Sequence, residues 1–310
     1  QPRKYGEIVN APESSGNYMK DAKNCRACFH CYEAEDCAYG EHVWRNAKDC
    51  VDVSTAGRNA NMIYNSINTG IDVANHICVA QGWSSTFLEY SFNCFNSNHC
   101  FGSAGLRKKE YCILNKQYSK EEYEILRKQI IDKMRTRGEY GEFFPISLSQ
   151  FGYNETVAQE QFPLTKEESV KQGFKWEDHP RGTYGKETVS WNKIPDSIND
   201  VPADISKEIF ACISCKKNYR IIPDEFGFYK NLGIPLPRLC PDCRHARRIN
   251  ARGPNRLWER QCMCDYVVSK NSVIHTHHPN GRCPNKFETS YAPERLEVVY
   301  CKSCYNSEVA

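Results

Sequence analysis

The sequence predicts a mainly β protein with some α-helix, in which a cysteine-rich β-solenoid is capped by a helix and followed by two C-terminal zinc ribbons. Three observations predict this fold class. Cysteine recurs at a short regular interval in the first third of the chain, it is absent from residues 113–211, and C-x2-C pairs occupy the last third. We therefore expect a repetitive domain over residues 1–115, a helical cap and mixed linker over 116–205, a zinc ribbon with a basic helix over 206–260, and a second ribbon over 261–310.

Composition sets the broad class of the protein. The chain has 310 residues, of which 40% are apolar and 12% aromatic, as expected for a folded protein with several domains. The net charge of +3 excludes a global polyelectrolyte, so a nucleic-acid site would need local clustering of cations. No apolar run approaches the roughly 18 residues of a membrane-spanning helix, so we expect no membrane association.

The solenoid prediction depends on a six-residue spacing. Cysteine or an aliphatic residue keeps this spacing at Cys25, Cys31, Cys37 and Val43, and again at Cys94, Cys100, Leu106 and Cys112. The phase slips between Asp49 and Ser85. Small inward residues at a short period are typical of a β-solenoid, because each coil buries its side chains only against its neighbours. An irregular β-sandwich, the alternative, would not produce this spacing.

Two helices are predicted after the repeats by capping residues. Ser119 and Glu122 form a capping box, and the apolar residues that follow share one helical face. We expect this helix to cover the open end of the solenoid. Thr165 and Glu168 form a second capping box, with Gly173 as the terminator.

The first predicted metal site consists of two C-x2-C pairs. The number of residues between the two pairs is typical of a zinc ribbon. Its four ligands are Cys212, Cys215, Cys240 and Cys243. Four thiolates complete the tetrahedral coordination of zinc and leave no position for a catalytic water, so this site is predicted to be structural. Buried free cysteines are the alternative.

The second predicted site is interrupted by an insertion. Cys301 and Cys304 form one pair, and we assign Cys264 and Cys283 as the other ligands, with Cys262 as the competitor of Cys264. The insertion contains three histidines. We expect these to be solvated in a polar loop, although they could ligate a further ion: they are His275, His277 and His278.

The predicted cofactor is thus two structural zinc ions. Thiolate ligands require a reducing compartment, which predicts a cytoplasmic location, whereas disulfides would be expected in a small secreted domain.

Part of the chain resembles a known family. The residues concerned are the run Cys212-Ile-Ser-Cys215, Phe226-Gly-Phe-Tyr229 and Pro237-Arg-Leu-Cys240-Pro-Asp-Cys243-Arg244. They resemble the zinc-ribbon domain of many uncharacterised bacterial proteins. More broadly, the chain is similar to cysteine-rich proteins of metagenomic, candidate-phyla bacteria, which join repeated Asn-Cys and Asp-Cys units to zinc ribbons. The resemblance implies a fold but no activity.

The predicted function is that of a non-enzymatic, zinc-stabilised scaffold that binds a protein partner or nucleic acid. A solenoid offers a long regular surface for a protein. Nucleic acid is suggested by an arginine-rich segment that would place cations on one face if 241–252 is helical. The arginines are Arg244, Arg247, Arg248 and Arg252.

The alternative function is a carbohydrate-processing or metal-dependent enzyme on a β-helix. Asp36, Asp49 and Asp52 could align on consecutive coils as acid catalysts, although turn formation explains aspartates more simply. The spacing of Cys25, Cys28 and Cys31 is also found in iron–sulfur ligand runs, but its continuation favours cysteines packed in a core.

Overall fold

The computed structural model describes residues 1–179, 181–269 and 271–309, and it divides into two compact units. One contains residues 1–145 and 254–310, and the other contains residues 146–253. The sequence prediction had placed its divisions at residues 115, 205 and 260. Among the described residues, no helix has both the length and the apolar character needed to cross a membrane.

The strands in chain order are β1 (Arg3–Lys4), β2 (Ile8–Val9), β3 (Gly16–Lys20), β4 (Cys28–Glu35), β5 (Ala38–Ala56), β6 (Ala60–Thr69), β7 (Val73–Ile77), β8 (Ala80–Trp83), β9 (Thr86–Glu89), β10 (Phe92–Phe95), β11 (Asn98–Phe101), β12 (Glu110–Ile113), β13 (Lys116–Gln117), β14 (Phe210–Ala211), β15 (Asn218–Tyr219), β16 (Trp258–Gln261), β17 (Lys286–Thr289) and β18 (Val299–Tyr300). The α-helices are α1 (Lys120–Thr136), α2 (Val157–Gln161), α3 (Lys166–Lys171), α4 (Pro223–Leu232), α5 (Pro241–Ala251) and α6 (Lys302–Glu308).

Strands β2–β12 wind into a β-solenoid of about nine turns, which confirms the predicted fold class. Neighbouring coils pair in parallel, with Gly16 opposite Cys28 and Asn98 opposite Glu110, so a coil contains twelve residues. Within a coil the backbone repeats every three residues. One residue points inward, the next lies along the side, and the third turns the corner in the left-handed region. The six-residue spacing in the sequence is therefore two sides of a four-sided coil.

The corner residues explain the composition of the repeats. Ala27, His30 and Glu33 follow one another at φ 49°, 55° and 52°, and this pattern continues along the solenoid. Left-handed backbone costs a residue with a side chain on the order of 1 kcal/mol, and the cost is smallest for Asn and Asp. The hydrogen bonds between coils, such as Asp36 N–H to the Lys23 carbonyl at 3.1 Å, offset this cost.

An extra residue explains the slip in phase between Asp49 and Ser85. Lys48 pairs with Asn61, and Asn61 pairs with Ala74, so these coils contain thirteen residues. The register shifts after Trp44, where Arg45 and Asn46 both have positive φ and absorb the addition at a corner. The inward positions then resume their order.

Helix α1 packs against the side of the last coils. Its capping box at Ser119 and Glu122 is present as predicted. Tyr123 and Ile131 are buried with Phe101 and Ile113 of the solenoid. The helix therefore covers outward-facing side chains, and the prediction that it covers the open end of the solenoid is wrong. The last coil continues into β13, which pairs antiparallel with β12.

The second unit, residues 146–253, contains helices α2–α5 and the β14–β15 hairpin. The predicted capping box at Thr165 and Glu168 begins α3. Trp191 stacks on Phe210 with 4.9 Å between ring centroids and donates a hydrogen bond to the Ala211 carbonyl. This packing supports the strand that leads into the first cysteine pair.

The C-terminal residues of the first unit form two small sheets. Strands β16 and β17 pair antiparallel, and β18 pairs in parallel with β1, where Arg3 lies opposite Val299. Helix α6 follows β18 directly. One cluster of buried cysteines packs beside these elements, and it contains Cys262, Cys264, Cys283, Cys301 and Cys304.

Candidate metal centres

The first cysteine group joins a hairpin to the start of a helix. The β14–β15 hairpin carries Cys212 and Cys215 in its turn, and Cys240 is the N-cap residue of α5, with Cys243 in its first turn. The four sulfurs lie within 4.8 Å of one another. Sγ of Cys215 is 3.7 Å from Sγ of Cys240, close to the edge of about 3.8 Å that a tetrahedral zinc–thiolate site requires. The group could hold a metal ion.

Backbone N–H groups at this site donate hydrogen bonds that stabilise thiolates. Cys240 N–H donates to Sγ of Cys212 at 3.3 Å, and Cys243 N–H donates to Sγ of Cys240 at 3.5 Å. Burial raises the pKa of Cys212, but N–H groups of Cys240, Cys215 and Ser214 outweigh it, so the pKa falls to about 6. Burial and the neighbouring sulfurs raise the pKa of Cys243 to about 12. The other sulfurs of this group can therefore ionise at neutral pH only when a cation lies among the four.

The second group contains Cys262 rather than Cys264. Its members are Cys262, Cys283, Cys301 and Cys304, all buried and within 4.8 Å of one another. Sγ of Cys283 is 4.0 Å from Sγ of Cys301. Our assignment of Cys283, Cys301 and Cys304 to one group agrees with this geometry, and the assignment of Cys264 is corrected in favour of its competitor.

The reason for the correction is that the second group repeats the hydrogen bonds of the first. Cys301 N–H donates to Sγ of Cys262 at 3.2 Å, as Cys240 N–H does to Cys212. Cys301 is likewise the N-cap residue of a helix, α6, and accepts the N–H of Cys304 at 3.5 Å. Two residues beyond Cys262, Sγ of Cys264 instead lies near the side chains of the insertion.

The histidines of the insertion do not form a solvated loop. His275 is fully buried and His278 is 5% exposed, so this prediction is wrong for both. His277 is exposed, and its Nε2 lies 3.2 Å from Sγ of Cys304. Nδ1 of His275 is 3.6 Å from Sγ of Cys264, and Nε2 of His278 is 3.2 Å from Sγ of Cys304. Sequence spacing could not reveal this arrangement, because His278 and Cys304 are 26 residues apart in the chain.

The arginine-rich segment is only partly helical and only partly free. Helix α5 ends at Ala251, so Arg252 lies outside it as the C-cap residue. Arg244 contacts a carboxylate of Glu225 at 3.1 Å and the Tyr229 hydroxyl at 2.9 Å, so its charge is neutralised within the unit. The other two predicted nucleic-acid contacts, Arg247 and Arg248, are exposed on α5.

The solenoid cysteines have a different environment. All nine are buried, and in each the sulfur donates a hydrogen bond to a backbone carbonyl at 3.2–3.5 Å. Cys25, Cys28 and Cys31 occupy three different sides of one coil and belong to its core. This packing is the one favoured by the sequence over an iron–sulfur run.

The aspartates proposed as acid catalysts are corner residues. Asp36, Asp49 and Asp52 have φ of 54°, 54° and 55°, and Asp36 accepts a hydrogen bond from the Asn24 amide at 2.7 Å. Their conformation agrees with the turn-forming role.

A groove on the side of the solenoid is a further candidate site. It encloses about 570 Å³ between the middle coils and α1. Met62, Phe87 and Tyr64 line it and remain 57%, 46% and 40% exposed. At one end the buried carboxylate of Glu89 accepts hydrogen bonds from the guanidinium of Arg127. Sequence analysis missed this groove, since outward side chains in thirteen-residue coils show no simple spacing.

Comparison with known proteins adds no family. No protein-family model matches the chain, and no curated protein matches it. The resemblance to bacterial zinc-ribbon proteins therefore stays a prediction.

Proposed function

We propose that the protein is a non-enzymatic binding protein, stabilised by structural zinc, that takes up a segment of a protein partner in the groove between the solenoid and α1. The single observation that carries this proposal is the exposure of Met62, Phe87 and Tyr64 together in one concave site. Apolar side chains clustered in a groove mark interaction sites more often than scattered ones do.

The charges around the groove indicate the chemistry of the partner. Asp49 and Glu124 are exposed carboxylates among its lining residues. The cation in the groove, Arg127, is paired with Glu89. An acidic rim disfavours a nucleic acid here and favours a peptide that combines apolar side chains with Lys or Arg.

Zinc is the metal that best fits the two four-cysteine groups. Thiolate ligands in a closed tetrahedron are typical of structural zinc, and they leave no position for substrate or water. Free thiols throughout the chain favour a reducing, cytoplasmic environment.

A peptide selection tests the proposal. Random peptides displayed on phage would be selected on the intact zinc-loaded protein, and labelled winners titrated by fluorescence anisotropy. We expect apolar peptides with basic residues, bound at least tenfold more weakly after Tyr64→Ala because apolar anchors dominate such interfaces. Tyr32→Ala is the matched control, since Tyr32 is a 44% exposed aromatic residue of another coil side. Equal weakening by both variants, or by neither, would contradict the proposal.

Nucleic-acid binding is the second candidate function, supported by the exposed Arg247 and Arg248. A labelled single-stranded 20-mer would be titrated at two salt concentrations. Submicromolar, salt-dependent binding that is lost in the double variant Arg247→Ala, Arg248→Ala would favour this function. Weak binding that both proteins share would exclude it.

A further inference from the structure

The insertion between Cys264 and Cys283 contains a built site of mixed ligands. Four atoms converge there: Sγ of Cys264, Nδ1 of His275, Nε2 of His278 and Sγ of Cys304, all within 4.8 Å of one another. All four residues are buried. Two sulfurs and two imidazole nitrogens are a complete ligand set for tetrahedral zinc.

The distances fit one ion. A tetrahedral site with zinc–nitrogen bonds of about 2.0 Å and zinc–sulfur bonds of about 2.3 Å has ligand–ligand edges of about 3.3–3.8 Å. Sγ of Cys264 is 3.6 Å from Nδ1 of His275, which is 3.0 Å from Nε2 of His278. The latter nitrogen is 3.2 Å from Sγ of Cys304. The other three pairs of ligand atoms lie within 4.8 Å, so each of them approaches by at most about 1 Å when an ion binds.

A carboxylate behind His275 orients its ring. Nε2 of His275 is 2.9 Å from Oε1 of Glu308, and this carboxylate also accepts the N–H of Ser272 at 2.9 Å and its hydroxyl at 2.7 Å. The N–H of the imidazole is thereby held on Nε2, and Nδ1 presents its lone pair to the other three ligands. Histidines that bind metals are usually held by a carboxylate or carbonyl in this way.

Cys304 belongs to both C-terminal groups. Its sulfur lies with Cys262, Cys283 and Cys301 on one side and with the ligands of the insertion on the other. A thiolate has enough lone pairs to bridge two ions. The five cysteines of the combined cluster, with two neutral histidines, leave a net charge of only −1 around two divalent ions.

We propose that Cys264, His275, His278 and Cys304 bind a further zinc ion, and that the thiolate of Cys304 bridges it to the neighbouring four-cysteine site. The protein thus binds three zinc ions, two of them in one dinuclear cluster. The additional ion attaches the insertion to α6, which carries both Cys304 and Glu308. This inference rests on the zinc proposed for the neighbouring four-cysteine site, and it does not depend on the proposed peptide binding.

Metal counting on the full chain tests the cluster. Zinc per chain would be measured by plasma mass spectrometry after purification without chelator. We expect three ions in the wild type, two in His275→Ala and three in His277→Ala, the matched control from the same loop. Two ions in all three proteins would overturn the proposal. Loss of an ion in His277→Ala but not in His275→Ala would also overturn it, because it would assign the ion to His277, His278, Cys283 and Cys304.

X-ray absorption of the wild-type protein tests it without any variant. We expect an average zinc shell in which about one ligand atom in six is nitrogen, with metal–metal scattering at about 3.5–4 Å. A shell of sulfur alone, without metal–metal scattering, would overturn the dinuclear site even if His275→Ala fails to fold.

Discussion

The cysteines of the solenoid and those of the C-terminal groups differ in the direction of their hydrogen bonds. In the solenoid, sulfur donates to backbone carbonyls, as Cys100 does to Asn98 at 3.3 Å. In the C-terminal groups, sulfur accepts from backbone N–H groups, as Cys212, Cys240, Cys262 and Cys301 do. A carbonyl neighbour favours the neutral thiol, and an N–H neighbour favours the thiolate that binds a metal. One residue type therefore packs the core in one region and forms groups that could hold a metal ion in the other.

Burial and accepted N–H bonds set the pKa values of three thiols in opposite directions. Other thiols do not divide by region, because neighbouring sulfurs lower the pKa of Cys25 in the solenoid and burial raises that of Cys243 in the first metal group. Burial raises the pKa of Cys100 to about 12, and burial also raises the pKa of Cys78 to about 11. The pKa of Cys212 instead falls to about 6, because the N–H bonds that it accepts outweigh the effect of burial. The same Cys→Ser substitution should therefore have very different effects in the two regions.

The largest effect is expected for Cys240→Ser. This residue is both a proposed zinc ligand and the N-cap of α5. The variant should therefore lose one zinc ion and several kcal/mol of folding free energy around the β14–β15 hairpin, since structural zinc contributes about 10–16 kcal/mol of binding in small domains. Plasma mass spectrometry and hydrogen exchange over residues 210–250 measure both. The control variant, Cys100→Ser, should contain as many zinc ions per chain as the wild-type protein. Equal metal loss in the two variants would abolish the distinction between regions.

A smaller effect concerns the one histidine in the solenoid interior. His76 is fully buried, and its Nε2 donates to the Ser85 carbonyl at 3.1 Å. Burial lowers its pKa to about 4. The unfolded chain binds this proton near pH 6.5, so stability is present above that pH and is lost as pH falls towards 4. Between pH 7 and pH 5 the loss is about 2 kcal/mol.

His76→Leu should remove that loss, because Ile63 and Leu88 flank the position in neighbouring coils. Denaturant unfolding at pH 7 and pH 5 measures the difference, and carboxylates contribute equally to both proteins. His179→Leu, at an exposed position, should behave as the wild type. An unchanged pH dependence in His76→Leu would mean that the solenoid interior admits charge, which would weaken the contrast with the metal groups.

The smallest effect is expected for Cys94→Ser. Its sulfur donates to the carbonyl two residues earlier, and the hydroxyls of Ser91 and Ser97 make the same bond at 2.9 and 3.0 Å. Serine therefore fits the inward position, and the free energy of unfolding should fall by only about 1 kcal/mol. Chemical denaturation and metal analysis are the measurements. A loss of an ion, or of more than about 3 kcal/mol, would indicate that these cysteines have a role beyond packing.

The sequence predicted the solenoid because its coil repeats locally. Inward cysteines recur at a fixed spacing, because every coil needs small residues at the same positions. The spacing in the sequence therefore reports which side chains pack inside the solenoid. The capping boxes at Ser119 and Thr165 were predictable for a similar reason, since all of their atoms lie within one turn.

The second metal group was harder to predict because its ligands come from distant positions. Cys262 and Cys264 have nearly the same separation from Cys283. They are distinguished by long-range contacts, since Cys262 accepts the N–H of Cys301 and Cys264 lies against His275. The buried state of His275 depends on Glu308, which lies 33 residues further along the chain. Spacing carries no information about such long-range contacts.

The pairing of β1 with β18 makes the assembly of the chain strongly non-local. Thr289 donates to the Tyr5 carbonyl across a separation of 284 residues, and Asn17 of the first full coil donates to Ser290 at 3.0 Å. During synthesis, the first coils are thus made long before the strand that completes them, and an unpaired strand edge is prone to association with other chains. The last cysteines immediately follow β18, so under the proposed metal binding the supply of zinc would also set how soon the first coils are protected.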